Sequence, residues 1–234
     1  MAFLFTCLLA ASALADQAAH TFKRTVGEKE ESIGYLLALP KGYNAKKDTK
    51  YPVLLFLHGS GERGSDINKV KVHGPPKLVE KGKDLPFIVI SPQLPEKAMW
   101  NPDQLIALID EVIKENHGDK DRVICTGLSL GGFGTWALVT KYPDRFAAAV
   151  PICGGGNPAT VAAMKDVPTW VFHGDKDTAV KLEASQKMVD ALKAAGGTVE
   201  FTIYEGVGHD SWNKAYDDAK LWEWMAKQKR KGEK

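Results

Sequence analysis

Ser129 is set among four glycines in Gly127-Leu128-Ser129-Leu130-Gly131-Gly132-Phe133-Gly134. Residues 122–126 read as a strand and residues 130 to about 141 as a helix, so the serine falls on the turn between them. A Gly-x-Ser-x-Gly turn in that setting reverses the chain sharply and lifts the hydroxyl clear of the sheet rim. Side chains at 127 or 131 would collide with the adjoining strand and helix, and Gly132 and Gly134 extend the clearance. The helix N-terminus aims its dipole and free N–H groups at the same place. The five-residue pattern also arises by chance in glycine-rich turns; the strand before it and the helix after it give it chemical meaning. A serine hydroxyl is a weak nucleophile and needs a base to take its proton.

The histidines are 20, 58, 73, 117, 173 and 209. His20 falls in a start read as unstructured, and His117 precedes Gly118 where a helix-capping role suffices. His209, in Glu205-Gly206-Val207-Gly208-His209-Asp210-Ser211-Trp212, follows the last strand and precedes the last helix, which makes it the candidate base. With this kind of turn the acid lies between serine and histidine in the chain. His173-Gly174-Asp175-Lys176-Asp177-Thr178 supplies two aspartates. Asp175, nearer the strand end, suits holding the loop through backbone hydrogen bonds. Asp177, further out, suits reaching the His209 ring, fixing its tautomer and stabilising the imidazolium.

After the first core strand comes Leu57-His58-Gly59-Ser60-Gly61-Glu62-Arg63-Gly64-Ser65-Asp66. A loop at this position supplies one oxyanion-hole N–H, and the residue after the nucleophile supplies the other. Leu130 and either Ser60 or Gly61 are the candidates. His58 reads as a brace for the loop. Glu62, Arg63 and Asp66 read as a local ion-pair group, with Arg63 alternatively meeting a substrate carboxylate. Of the tryptophans, Trp212 beside His209 is the foremost pocket candidate, Trp100 reads equally as pocket or core, and Trp136 reads as core.

These residues must be carried by strands that end at one rim. Val53–Leu57 and Phe87–Ile90 are fully apolar, as expected of strands covered on both faces. Further strands are read at 122–126, 147–152, 169–172 and 199–204, with Phe22–Val26 pairing with Tyr35–Leu39 at the start. Helices are read at 103–115, where Asn101-Pro102 supplies a cap and a first-turn proline, at 180–195 and at 213–228, followed by a basic, frayed tail. Such alternation implies a mostly parallel sheet of about eight strands flanked by helices, with ligands beyond the carboxyl ends of the strands. The loops after Leu57, Thr126, Phe172 and Tyr204 then share one rim, and each unusual cluster lies in one of them. Pro151–Pro168 leaves room for one short helix and no large lid.

The 234 residues suit one α/β domain, read here as 20–230. A net charge of +2 argues against a dedicated nucleic-acid binder. Residues 1–15 are apolar and end Ala13-Leu14-Ala15, which reads as a signal peptide, and hence a secreted or periplasmic protein, although no Lys or Arg precedes the run. A misplaced start or a buried N-terminal helix are the alternatives; stable membrane insertion is not expected of so short a run. Beyond Cys7 in that segment, Cys125 and Cys153 could form a disulfide or remain buried thiols, and neither has metal-ligand spacing. No metal or organic cofactor is implied, and the oligomeric state is not legible.

The Leu57–Asp66 loop, the elbow followed by Lys141-Tyr142-Pro143-Asp144-Arg145-Phe146, the His-Gly-Asp-Lys-Asp-Thr segment and the Gly-Val-Gly-His loop resemble one family from about residue 30 onward. The chain resembles α/β-hydrolases of the group joining dienelactone hydrolases, phospholipase/carboxylesterases, secreted feruloyl esterases and prolyl-oligopeptidase-like peptidases. The resemblance implies an α/β-hydrolase fold, Ser129, Asp177 and His209 as a triad, and a serine carboxylesterase acting on short-chain or aromatic (feruloyl or acetyl) esters, small or attached to polysaccharide. It departs from dienelactone hydrolase proper, which has cysteine where this chain has Ser129. Cleavage of small peptides and a non-catalytic binding role on the same fold are the alternatives.

Overall fold

The computed structural model describes residues 17–46 and 48–230; the signal-peptide reading of residues 1–15 lies outside them. Eight strands form one sheet: β1 (Gln17–Val26), β2 (Lys29–Ala38), β3 (Tyr51–Leu57), β4 (Ile88–Pro92), β5 (Gly118–Leu128), β6 (Ala148–Ile152), β7 (Thr169–Gly174) and β8 (Val199–Tyr204). Their spatial order is β1-β2-β4-β3-β5-β6-β7-β8. β1/β2 and β2/β4 pair antiparallel and the remaining pairs are parallel. The chain steps from β3 to β4 on one side, then returns to lay β5 on the other. That reversal opens a crevice beyond the ends of β3 and β5, where ligands bind in open α/β sheets.

β3 shows why the sheet is central. Val53, Leu55 and Leu57 enter one core layer, and Leu54 and Phe56 the other, all with zero exposure. Each such side chain contributes roughly 1.5–3 kcal/mol by leaving water. The first layer is covered by α2 (Pro102–Glu115), α3 (Leu130–Lys141) and α4 (Leu182–Ala194). The second is covered by α1 (Gly74–Glu80), α5 (Trp212–Asp217) and α6 (Ala219–Lys227). The architecture is the α/β-hydrolase fold, and between β6 and β7 there is a 3-10 turn at Val161–Met164 rather than a lid domain. Among the described residues no helix is long and apolar enough to cross a membrane.

Local chemistry sets the boundaries. The Asn101 side chain accepts the N–H groups of Asp103 and Gln104, with Pro102 in the first turn of α2. β1 and β2 form a hairpin of two ten-residue strands turned at Gly27 (φ +62°), so His20 lies in a strand, stacked on Tyr35, and not in an unstructured start. The region expected as one closing helix is two, because Asp218 leaves helical geometry and its carboxylate caps α6 at Lys220 N–H. The tail is held rather than frayed as far as Arg230, whose guanidinium pairs with Asp121 at 2.9 Å.

The tightest packing lies where α3 meets the ends of β3 and β5. A Cβ at Gly131 would strike the Leu57 carbonyl oxygen, and one at Gly134 would come within 2.6 Å of the Trp100 ring. Backbone cannot retreat as a flexible side chain can, so Gly131→Ala is expected to abolish soluble folded protein, whereas Gly61→Ala, with open space around it, melts near wild type. Soluble yield of the two variants, with a thermal melt of any that purifies, checks this; a soluble Gly131→Ala protein melting with wild type would contradict the steric account.

Candidate active site

Ser129 sits between β5 and α3 with φ +52° and ψ −117°, a region a non-glycine residue enters only when its surroundings force it. The force is visible. A Cβ at Gly127 would strike Gly131, and the Ser129 N–H donates to the Ile152 carbonyl (3.0 Å) and the Cys153 Sγ (3.3 Å). No hydrogen bond among the described residues takes the N–H of Leu130, Ser60 or Gly61. Gly59 brings its loop against the elbow: a Cβ there would lie 3.5 Å from Ser129 Cβ and 2.9 Å from Leu128 Cδ1. Sequence reasoning treated the glycines around Ser129 and overlooked this one.

The structure brings Ser129, His209 and Asp177 together from three loops. His209 Nδ1 is 2.7 Å from Asp177 Oδ2, and His209 Nε2 is 2.9 Å from Ser129 Oγ. An ionised carboxylate only accepts, so Nδ1 carries the proton and the Nε2 lone pair accepts the serine O–H. Asp177 Oδ1 accepts the N–H groups of Ala179 and Val180, both at 2.9 Å. Burial opposes ionisation of Asp177, but the His209 and backbone hydrogen bonds outweigh it and hold the carboxyl below its usual range. His173 adds a further contact to Asp177 Oδ2, at 3.2 Å from its Nε2, while its Nδ1 meets Ser185 Oγ at 2.8 Å. Asp175 accepts the Gly206 N–H at 2.7 Å and so ties the β7 and β8 loops together.

The remaining candidates divide. Trp212 is 9% exposed, stands edge-on to the His209 ring at 5.2 Å, and packs on His73 at 5.2 Å. Trp100 belongs to the core under α3, beside the His58 ring. Trp136 is core as well. The expected ion pairing among Glu62, Arg63 and Asp66 does not form: Glu62 turns inward, Asp66 caps the following turn at Asn68 N–H, and Arg63 joins no ion pair among the described residues. Among the described residues Cys125 and Cys153 are free and buried, and burial pushes each thiol up to about 12. Cys153 Sγ, a His209 nitrogen and an Asp177 oxygen lie within 4.8 Å of one another. Both His209 nitrogens and both Asp177 oxygens are already engaged, so a metal ion there would displace the relay.

His58 braces the loop by two bonds. Its Nε2 accepts the Leu94 N–H (3.0 Å), so Nδ1 carries the proton and donates to the Gly59 carbonyl (2.6 Å). Burial lowers the imidazole from 6.5 to about 4, the Gly59 bond opposing and Arg63 adding to the effect.

Residues 89–229 match the Dienelactone hydrolase family, and the chain belongs to that family. The carboxylesterase SOBER1 of Arabidopsis thaliana is 34% identical over 146 residues, 59% of this chain and 63% of that one. An endo-1,4-beta-xylanase/feruloyl esterase of Xylanibacter ruminicola is 30% identical over 205 residues, 76% of this chain and 27% of its own. The solved structure of a thermostable esterase superposes with a TM-score of 0.79 at 35% identity, over 93% of this chain and 64% of that one. The chain thus spans less than two thirds of the length of each.

The His58 geometry has a measurable consequence. Between about 4 and 6.5 the unfolded chain holds a proton that the folded chain refuses. Its stabilisation is therefore complete above 6.5 and is lost as pH falls toward 4, a difference of roughly 3 kcal/mol. Urea unfolding across that window should show the loss in wild type and a flatter dependence in His58→Gln. Equal slopes would contradict a neutral, buried His58.

Proposed function

We propose that this protein is a serine carboxylic-ester hydrolase working through an acyl-enzyme. The observation that carries the reading is His209 lying between Ser129 Oγ and Asp177 Oδ2 at 2.9 and 2.7 Å. Ser129 attacks the ester carbonyl as His209 takes its proton, and Asp177 holds the ring and stabilises the imidazolium. The oxyanion rests on the N–H of Leu130 and that of Ser60 or Gly61. His209 returns the proton to the leaving alcohol, and water, activated the same way, releases the acid. Cys125 and Cys153 stay protonated and buried, so neither thiol competes as nucleophile.

The substrate class we infer is short-chain or aromatic esters, feruloyl and acetyl groups among them. The named carboxylesterase and feruloyl esterase relatives support this, as does the short β6–β7 interval, which leaves the rim uncovered by a lid domain. Arg63, with no acid partner among the described ion pairs, is the side chain we assign to a substrate carboxylate where one is present. Secretion, if residues 1–15 serve as a signal peptide, would bring such an enzyme to polymer-bound esters.

A fluorophosphonate probe should modify Ser129 in wild type and leave Ser129→Ala unlabelled, and Asp177→Asn should lower kcat by about 10⁴. Nitrophenyl esters, methyl ferulate, acetylated xylan and a peptide arylamide, assayed side by side, define the substrate. Turnover of the arylamide alone would replace the esterase reading with a peptidase one, and a folded chain that is neither labelled nor active would leave a binding role.

A further inference from the structure

Glu62 is a carboxylate buried to 8% exposure, and among the described ion pairs it faces no Lys or Arg. Burying a charge without a partner is costly unless hydrogen bonds compensate. Its Oε2 accepts the Gly59 N–H at 2.8 Å. The Gly59 carbonyl is taken by His58 Nδ1 at 2.6 Å, so both backbone groups of this glycine are held by side chains. The Glu62 carbonyl in turn accepts from Gln93 Nε2 at 2.9 Å, and the loop is pinned to the segment that follows β4. Gly59 is the residue that abuts Ser129, and Ser60 and Gly61, whose N–H groups meet no acceptor among the described residues, come next in the chain.

Glu62 also faces the opposite wall. Its Oε1 lies 3.8 Å from His73 Nε2, His73 packs on Trp212, and Trp212 stands edge-on to His209. A column of contacts therefore runs from the Gly59 loop to the loop bearing the base. The geometry assigns Glu62 as a positioning residue that clamps Gly59 and joins the oxyanion loop to the Trp212–His209 wall. It touches no reacting atom and acts through the placement of the Ser60 and Gly61 N–H groups relative to Ser129. Without it, the Gly59 N–H is left unmet beside Ser129 and the loop is free to seek another arrangement.

This assignment rests on the esterase reading, so wild type and Ser129→Ala are assayed first on nitrophenyl acetate. A wild type that neither turns over nor takes a fluorophosphonate removes that reading before Glu62 is changed. Given an active wild type, Glu62→Ala is expected to lose about 10- to 100-fold in kcat, since small displacements of catalytic groups carry losses of that order. KM should stay within about threefold, because the interaction is realised in the transition state. Affinity for an aryl boronic acid, which forms a tetrahedral adduct on the serine, should fall by the same factor as kcat. Glu62→Gln, whose amide oxygen still accepts the Gly59 N–H, should recover most of the rate. Glu62→Asp, one methylene short of Gly59, should not, and it replaces the alanine variant if that chain does not fold. Wild-type kcat and boronate affinity in a folded alanine or aspartate variant would overturn the assignment. So would a glutamine variant as slow as alanine, or a loss confined to KM.

Discussion

The first turn of α3 lies so close to the end of β3 that no side chain fits at residue 131, where a Cβ would strike the Leu57 carbonyl oxygen. That contact sets the geometry of the whole rim. It forces the β5–α3 turn to close within a few residues and holds Ser129 at φ +52°. It also brings the segment leaving β3 alongside the serine, where Gly59 has 3.5 Å between its missing Cβ and Ser129 Cβ. Two loops far apart in sequence thus become neighbours because two pieces of backbone touch. The strain is maintained by the layers beneath: residues 53–57 of β3 and 123–128 of β5 are buried without exception, and their packing resists any movement that would relax the turn.

Electrostatics complete what sterics begin. Asp177 is removed from water, which by itself disfavours its charge, yet it is met by three donors: two backbone N–H groups and His209. It is therefore held ionised and fixed in direction, and it fixes the His209 tautomer in turn. On the other side of Ser129 the loop from His58 to Asp66 is organised by groups that are buried and polar. His58 stays neutral because it is buried, and its two hydrogen bonds require that state. Both halves use side chains to hold backbone, which suits the proposed role of backbone N–H groups in meeting an oxyanion.

Much of this was legible in the amino-acid sequence, for identifiable reasons. The elbow announces itself because glycine at 127 and 131 has a single steric purpose. His209 and Asp177 could be placed because each lies just past a strand with a clear apolar run, and parallel strands end at one rim. The residues that eluded the sequence are those whose partners are remote in the chain or set by loop conformation. Glu62 read as a member of a local ion-pair group with Arg63 and Asp66, and only the inward turn at Ser60–Glu62 shows its carboxylate meeting the Gly59 N–H. Cys153 gave no sign of touching the Ser129 N–H, since that contact crosses from β6 to the elbow. Trp100 was ambiguous because its burial depends on Gly134 allowing α3 to close over it. β5 begins at Gly118, earlier than its charged residues 119–122 indicate, because its pairing with Tyr51 and not its side chains defines that end.

The central claim is that steric closure at the ends of β3 and β5 builds one site in which Ser129 faces free backbone N–H groups on two loops. A crystal structure of the phosphonylated protein tests it most directly. The account predicts phosphorus bonded to Ser129 Oγ, with the phosphoryl oxygen accepting from the N–H of Leu130 and from that of Ser60 or Gly61. Phosphorus on another residue, or a phosphoryl oxygen pointing to solvent with the Gly59 loop turned away, would contradict it.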